Sequence, residues 1–228
     1  MRELIVSAMR DACFPYLRRV LARTPEDKHS NITSLFETHM AYLADYCMAG
    51  YGGRGTLTEA FICGLHKALF PRDYKQVLMT TPEGEVVYMV PGEYKRFSNG
   101  GESCLYPNRY IICIAPEDVP ETMAQAVITL NAALAAATDE RQKRDAILFF
   151  IVDFLVIHPF ADANGRVAFM LADLLAIREG LLAFYFHRIK EKDWLALYRA
   201  VELACEKREL TPLYEVLEKY KTNPSDTA

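Results

Sequence analysis

Twelve residues from Ala146 to Ile157 form the most apolar run of the chain, interrupted only by Asp153. A helix that is apolar nearly all round has no face to offer water, so it belongs at the centre of a bundle. It is too short to span a bilayer, which takes about 18 or more apolar residues. Asp139, with Gln142 three residues on, marks the start of the helix, and His158-Pro159 marks its end.

The flanking sequence supplies the packing partners. Apolar positions at helical spacing predict an amphipathic helix over residues 2–22, bent near Pro15. A second helix is expected over 32–49, stopping at the cluster Gly50, Gly52, Gly53 and Gly55. Thr56 to Glu59 has capping-box form and opens a helix that Pro71 ends. Between 75 and 90 the pattern becomes two short strands around a turn at Pro82 to Gly84. A second hairpin-like pair follows, Glu93 to Ser98 against Tyr110 to Ile114, with a loop at Asn99 to Gly101. Further helices are expected from Asp118 to about Ala137, and from Asn164 to about Glu179 with Gly180 as a cap. Two more, over 191–207 and 211–220, close the fold. The fold class is mainly α, a helical bundle with one small β excursion. An N-terminal helical segment (1–55), a core domain (56–221) and a disordered tail (222–228) are expected.

Composition narrows the function. The 228 residues suit one compact domain with small appendages, and 51% hydrophobic with 25% charged residues is an ordinary globular balance. A net charge of −4 with interspersed signs gives no basic footprint, so nucleic acid is not the expected partner. The N-terminus is too broken by charge for a secretory signal. Cys13, Cys47, Cys63, Cys104, Cys113 and Cys205 show no CxxC or zinc-like spacing and read as reduced thiols of a cytoplasmic protein. A secreted effector acting in another cell's cytosol would have the same composition.

The chemistry lies in His158-Pro159-Phe160-Ala161-Asp162-Ala163-Asn164-Gly165-Arg166, between the two central helices. The loop ends where a helix begins, so backbone N–H groups and the positive end of a helix dipole face it. Such a terminus binds phosphate. Gly165 permits close backbone approach to an anion, Arg166 adds a planar fork for phosphate oxygens, and Asn164 can donate to an oxygen or hold the loop's shape. Asp162 is a hard oxygen ligand of the kind Mg²⁺ shares with substrate phosphates. His158 caps the preceding helix, placed to take a proton from an incoming hydroxyl, while Phe160 pins the loop to the core. Base, metal ligand and phosphate nest together suit in-line attack on a phosphate. His29, His39, His66 and His187 show no metal-like spacing, and Phe184-Tyr185-Phe186 reads as core.

Seven positions of this segment match the signature of the Fic family, HPFx(D/E)GNGRxxR, which the chain resembles. Pro91 to Lys95 and Ile111 to Met123 are similar to the family's flap hairpin and the helix after it, and Leu65-His66 also fits; the resemblance covers roughly residues 56–205. It implies a Fic-type helical bundle with a small β-hairpin flap. The implied activity is Mg²⁺-dependent transfer of AMP from ATP to a Ser, Thr or Tyr hydroxyl of a target protein. On that resemblance His158 is the catalytic base and Asp162 the metal ligand. Ala163, Asn164, Gly165 and Arg166 bind the donor phosphates, and Gly92, Glu93, Tyr94, Lys95 and Arg96 belong to the target-clamping flap.

Two positions depart from the pattern. Ala163 stands where the family has glycine, a mild change if the residue has negative φ. Phe169 stands where the family has an arginine that holds the outer ATP phosphates and pairs with an inhibitory glutamate. A phenyl ring does neither, so donors carrying only a diphosphate, such as CDP-choline, lose nothing, and transfer of phosphocholine or UMP is the alternative reading. A Fic-fold binding module without turnover is the second alternative. The inhibitory signature has no clean match; Thr33–Glu37 and Thr211–Glu215 are the nearest and read as ordinary helix faces. Regulation would then fall to a separate partner.

Overall fold

The computed structural model describes residues 3, 32–51, 55–70, 77–80, 84 and 86–220. Apart from Glu3, the helix expected over 2–22 lies outside the described residues, as does the tail from 222. Seven α-helices and two separate two-stranded antiparallel sheets are described, in the order α1 (Ile32–Tyr51), α2 (Glu59–Ala68), β1 (Val77–Thr80), β2 (Val86–Met89), β3 (Gly100–Glu102), β4 (Tyr110–Ile112), α3 (Val119–Ala136), α4 (Glu140–Ile157), α5 (Asn164–Arg178), α6 (Phe186–Lys207) and α7 (Thr211–Lys219). A 3₁₀ turn, Pro116–Asp118, leads into α3. No helix among the described residues is long and apolar enough to cross a membrane.

Local chemistry sets the helix boundaries. Asp139 caps α4 by accepting from the Gln142 N–H at 2.8 Å, and Thr58 caps α2 by accepting from Phe61 N–H at 3.1 Å. The α2 cap is therefore Thr58 and not the Thr56 of the capping-box reading. Helix α6 begins at Phe186, earlier than the expected 191, and is kinked at Asp193 (φ −157°, ψ 71°), whose carboxylate accepts from Ala196 N–H at 3.1 Å and restarts the helix.

Helix α4 packs against α3, α5 and α6, as its apolar run requires. The one charge within the run from Ala146 to Ile157, Asp153, reaches the surface and pairs with Arg208. Among the described residues the most enclosed helix is nonetheless α5, in which every residue from Val167 to Ala176 is buried. Its single polar member there, Asp173, accepts from the N–H groups of Phe184 at 2.7 Å and Tyr185 at 2.9 Å, which fixes the turn into α6. The loop between α4 and α5 thus joins two helices that pack against each other in the core.

The first hairpin forms where expected, with Val77 opposite Met89 and Thr80 opposite Val86. The second does not. Gly100 pairs with Ile112 and Glu102 with Tyr110, so the residues expected as a loop supply the strand, and 93–98 is irregular. The reason is a competing partner: Lys95 N–H donates to Pro159 O of the α4–α5 loop at 2.8 Å, so this stretch is fastened to that loop and not to a strand.

Candidate active site

His158 is the C-terminal cap of α4, its N–H bonded to Phe154 O at 2.9 Å and its backbone in the left-handed region (φ 51°, ψ 59°). Nδ1 lies 3.3 Å from the Leu155 carbonyl, which can only accept, so Nδ1 carries the proton and the lone pair sits on Nε2. Burial holds the imidazole below its ordinary pKa, and the Lys95 charge adds to the effect. The Leu155 bond and the Asp162 carboxylate pull the other way. A neutral ring with a free Nε2 lone pair is equipped to accept a proton.

Beyond it the loop is fastened at every turn. Asn164, 2% exposed, accepts from Phe160 N–H at 2.9 Å and donates to Phe160 O at 2.7 Å. The Phe160 ring is fully buried and stacks on His66 at 3.9 Å and 7°. His66 accepts from Gly92 N–H at 2.8 Å through Nδ1 and donates from Nε2 to Asp162 O at 3.2 Å. The first ladder bond of α5 runs from Val167 N–H to Ala163 O at 3.0 Å, so the N–H groups of Asn164, Gly165 and Arg166 precede the ladder at the positive end of the helix, the kind of nest that suits an anion. Gly165 has a second reason to lack a side chain: an added Cβ would meet the Tyr198 hydroxyl at 3.2 Å.

Asp162 is half-exposed at the mouth of this nest and pairs with Arg166 at 3.0 Å. Among the described residues no three His, Cys, Asp or Glu side chains converge as a metal cage. One accessible carboxylate beside an anion nest does fit Mg²⁺, which is commonly held by one or two carboxylates together with substrate phosphates.

His66 makes the loop acid-sensitive. Its two bonds need one protonated and one bare nitrogen, so only the neutral ring satisfies both. Burial, first of all, lowers its pKa from 6.5 to about 4. A group whose folded pKa is depressed contributes its stability above the unfolded value and loses it as pH falls through the folded one. Between pH 6.5 and about 4 the protein should lose about 3 kcal/mol from this residue. The check is the unfolding midpoint against pH for wild type and His66→Gln. Parallel curves would remove this role for His66.

The family model for Fic/DOC proteins matches residues 56–176, more than half of the chain and the whole of this site. The chain belongs to the Fic/DOC family. No curated protein sequence matches it. Among solved structures it is similar to a Fic domain containing signaling protein from Bacteroides thetaiotaomicron, with a TM-score of 0.60 and 20% identity over 90% of this chain and 68% of that one. A Fic family protein from Desulfovibrio desulfuricans gives 0.59 and 15% over 95% of this chain and 62% of that one. A histidine-to-alanine variant of IbpAFic2 in complex with adenylylated Cdc42 gives 0.52 and 18% over 94% and 63%. The chain therefore spans 62–68% of these relatives' lengths, and at such identities the likeness speaks for the Fic fold.

Against the family signature, the two departures take definite form. Ala163 has φ 67°, so the condition for a mild change is not met: an L-residue occupies the left-handed region that glycine favours, at a cost of about 1–2 kcal/mol. Phe169 is 2% exposed and stacks on Phe186 at 5.1 Å, a core residue of the Fic bundle with no charge to offer a phosphate. The expected flap residues also divide. Gly92 is bonded to His66, Tyr94 donates to Glu59 at 2.7 Å, and Lys95 is buried. Only Glu93 and Arg96 face solvent, paired with each other at 2.6 Å.

Sequence reasoning missed several parts. Glu202 of α6 accepts from Ser103 Oγ and from the N–H groups of Cys104 at 2.7 Å and Leu105 at 3.2 Å, strapping the β3–β4 loop to α6. Burial raises the Cys104 thiol pKa, which argues against a reactive cysteine. Lys190, Trp194, Tyr198 and Glu202 recur every four residues along α6, the one local signal that could have flagged this face. Trp194, 56% exposed, lies edge-on to Tyr198, whose hydroxyl approaches Gly165.

Proposed function

We propose that this Fic protein transfers AMP from Mg²⁺-bound ATP to a hydroxyl side chain of a target protein. The carrying observation is the His158 tautomer: Nδ1–H is committed to Leu155, which leaves the Nε2 lone pair for a substrate proton. In the reaction the target oxygen forms a bond to the α-phosphorus while the bond to the leaving pyrophosphate breaks. The hydroxyl proton passes to His158 Nε2. The first-turn N–H groups from Asn164 to Arg166, with the Arg166 fork, hold the donor's phosphates and stabilise their developing charge. Mg²⁺, held by Asp162 and the phosphates, supplies further charge neutralisation. The exposed β3–β4 hairpin, with Tyr110 at 52% and Ile112 at 75% exposure, offers an open edge and apolar side chains to an extended target segment. One structural relative is a complex with adenylylated Cdc42, which agrees with a protein as the acceptor.

Incubation with Mg²⁺, a lysate and separately labelled ATP, UTP and CDP-choline tests the reading. Label from ATP appearing on protein is the expected result. Absence of label from every donor would leave a Fic-fold binding module in its place.

A second reading, transfer from a diphosphate donor such as CDP-choline or of UMP, is favoured by one observation. Phe169 lies in an aromatic stack, so no cation at that position meets a γ-phosphate. ATP and ADP should consequently bind within about threefold of each other, because a charged hydrogen bond to the γ-phosphate would separate them by about tenfold or more. Calorimetry with both nucleotides decides it, and a strong preference for ATP would show another γ-phosphate anchor.

A further inference from the structure

Three carbonyls of the α4–α5 loop are claimed by one short segment. Lys95 N–H donates to Pro159 O at 2.8 Å, the Lys95 ammonium to Ile157 O at 3.2 Å, and Asn99 Nδ2 to Phe160 O at 3.0 Å. The ammonium also donates to Asn99 Oδ1 at 2.7 Å, so the two side chains orient each other. Lys95 is 4% exposed, and lysine is almost never buried unless its charge is met by partners. Ile157 O belongs to the last residue of α4, where carbonyls lack ladder partners and the helix dipole favours a cation.

His158 sits between two of those carbonyls. Its left-handed backbone costs an L-residue about 1–2 kcal/mol, so surrounding contacts have to hold it there. Lys95 grips both neighbours, Ile157 through its side chain and Pro159 through its main chain. A residue meant to touch a target would be exposed, whereas this one is closed beneath the loop.

We propose that Lys95 is a positioning residue for His158. By pinning Ile157 O and Pro159 O it fixes the turn that brings Nδ1 to Leu155 O and leaves Nε2 facing the donor. The proposal rests on His158 being the general base. Donor binding is expected to be largely independent of it, because Asn164 holds both the N–H and the carbonyl of Phe160 without Lys95.

The test compares wild type, Lys95→Met and Lys95→Arg in the full chain. Nitrogen-15 imidazole NMR of the donor-free proteins should show His158 as the Nδ1–H tautomer in wild type and as a mixture with the Nε2–H tautomer in Lys95→Met. Label transfer by Lys95→Met should show kcat lowered about ten- to a hundredfold, the scale of a reacting group displaced by about 1 Å, with donor Kd within about twofold. Lys95→Arg, which keeps charge and donors, should retain the wild-type tautomer and recover much of kcat. An unchanged tautomer in Lys95→Met overturns the proposal, as does a parallel loss of kcat and donor affinity. If Lys95→Met does not fold, a folded Lys95→Arg with the mixed tautomer overturns it too. If wild type transfers no label from any donor, the functional reading fails separately, and the tautomer comparison still judges the clip.

Discussion

His158→Ala is expected to lower label transfer by about 10³-fold while changing donor affinity no more than about twofold, because general-base catalysis supplies about 10²- to 10⁴-fold. The separation follows from the construction of the site. His158 closes α4, whereas the nest opens α5, and the loop between them is fixed by Asn164, His66, Lys95 and Asn99 rather than by the imidazole. Alanine tolerates the left-handed cap poorly but removes only one side-chain bond, that from Nδ1 to Leu155 O. The measurements are single-turnover transfer and calorimetry on the same preparation. Donor affinity falling in step with transfer would mean that the substitution had collapsed the loop. Transfer persisting near the wild-type rate would give the proton another acceptor.

What could be read from the sequence was what is encoded locally. The α4 cap at Asp139 and the α4–loop–α5 sequence depend on residues within one or two turns of each other, and each stands as expected. The face of α4 was read less well, since α5 is enclosed more completely and Asp153 finds Arg208 across the surface. Contacts that fix the loop's shape join residues far apart in the chain: His66 with Asp162, Lys95 with Ile157, Asn99 with Phe160. No periodicity announces such pairs. The displaced strand has the same cause, because the Lys95 N–H is taken by the distant Pro159 carbonyl and not by a strand partner. Glu202 reads as one more helix-surface charge until the β3–β4 loop is seen wrapped around it.

Asn164 decides whether the loop keeps its form, and the chemistry of its amide gives the second large effect. One side chain both accepts from Phe160 N–H and donates to Phe160 O, in a buried position. Asn164→Leu strands the buried Phe160 N–H, while Phe160 O keeps Asn99, so the expected loss is about 2–4 kcal/mol in denaturant unfolding. Asn164→Asp should cost about 3–5 kcal/mol near neutral pH, since a carboxylate has no donor for Phe160 O and is buried without a countercharge. That variant carries its own sign test. A buried carboxyl has a folded pKa above its unfolded value of about 3.9, so its protonated form contributes stability below that value, and the contribution is lost as pH rises through the folded pKa. Protonated, it again offers one donor and one acceptor, as the amide does. The stability gap between Asn164→Asp and wild type should accordingly narrow on acidification, even though both proteins lose the His66 contribution over the same range. Were the Asn164 side chain turned to the donor instead of to Phe160, the leucine variant would weaken nucleotide binding and leave the unfolding midpoint where it was.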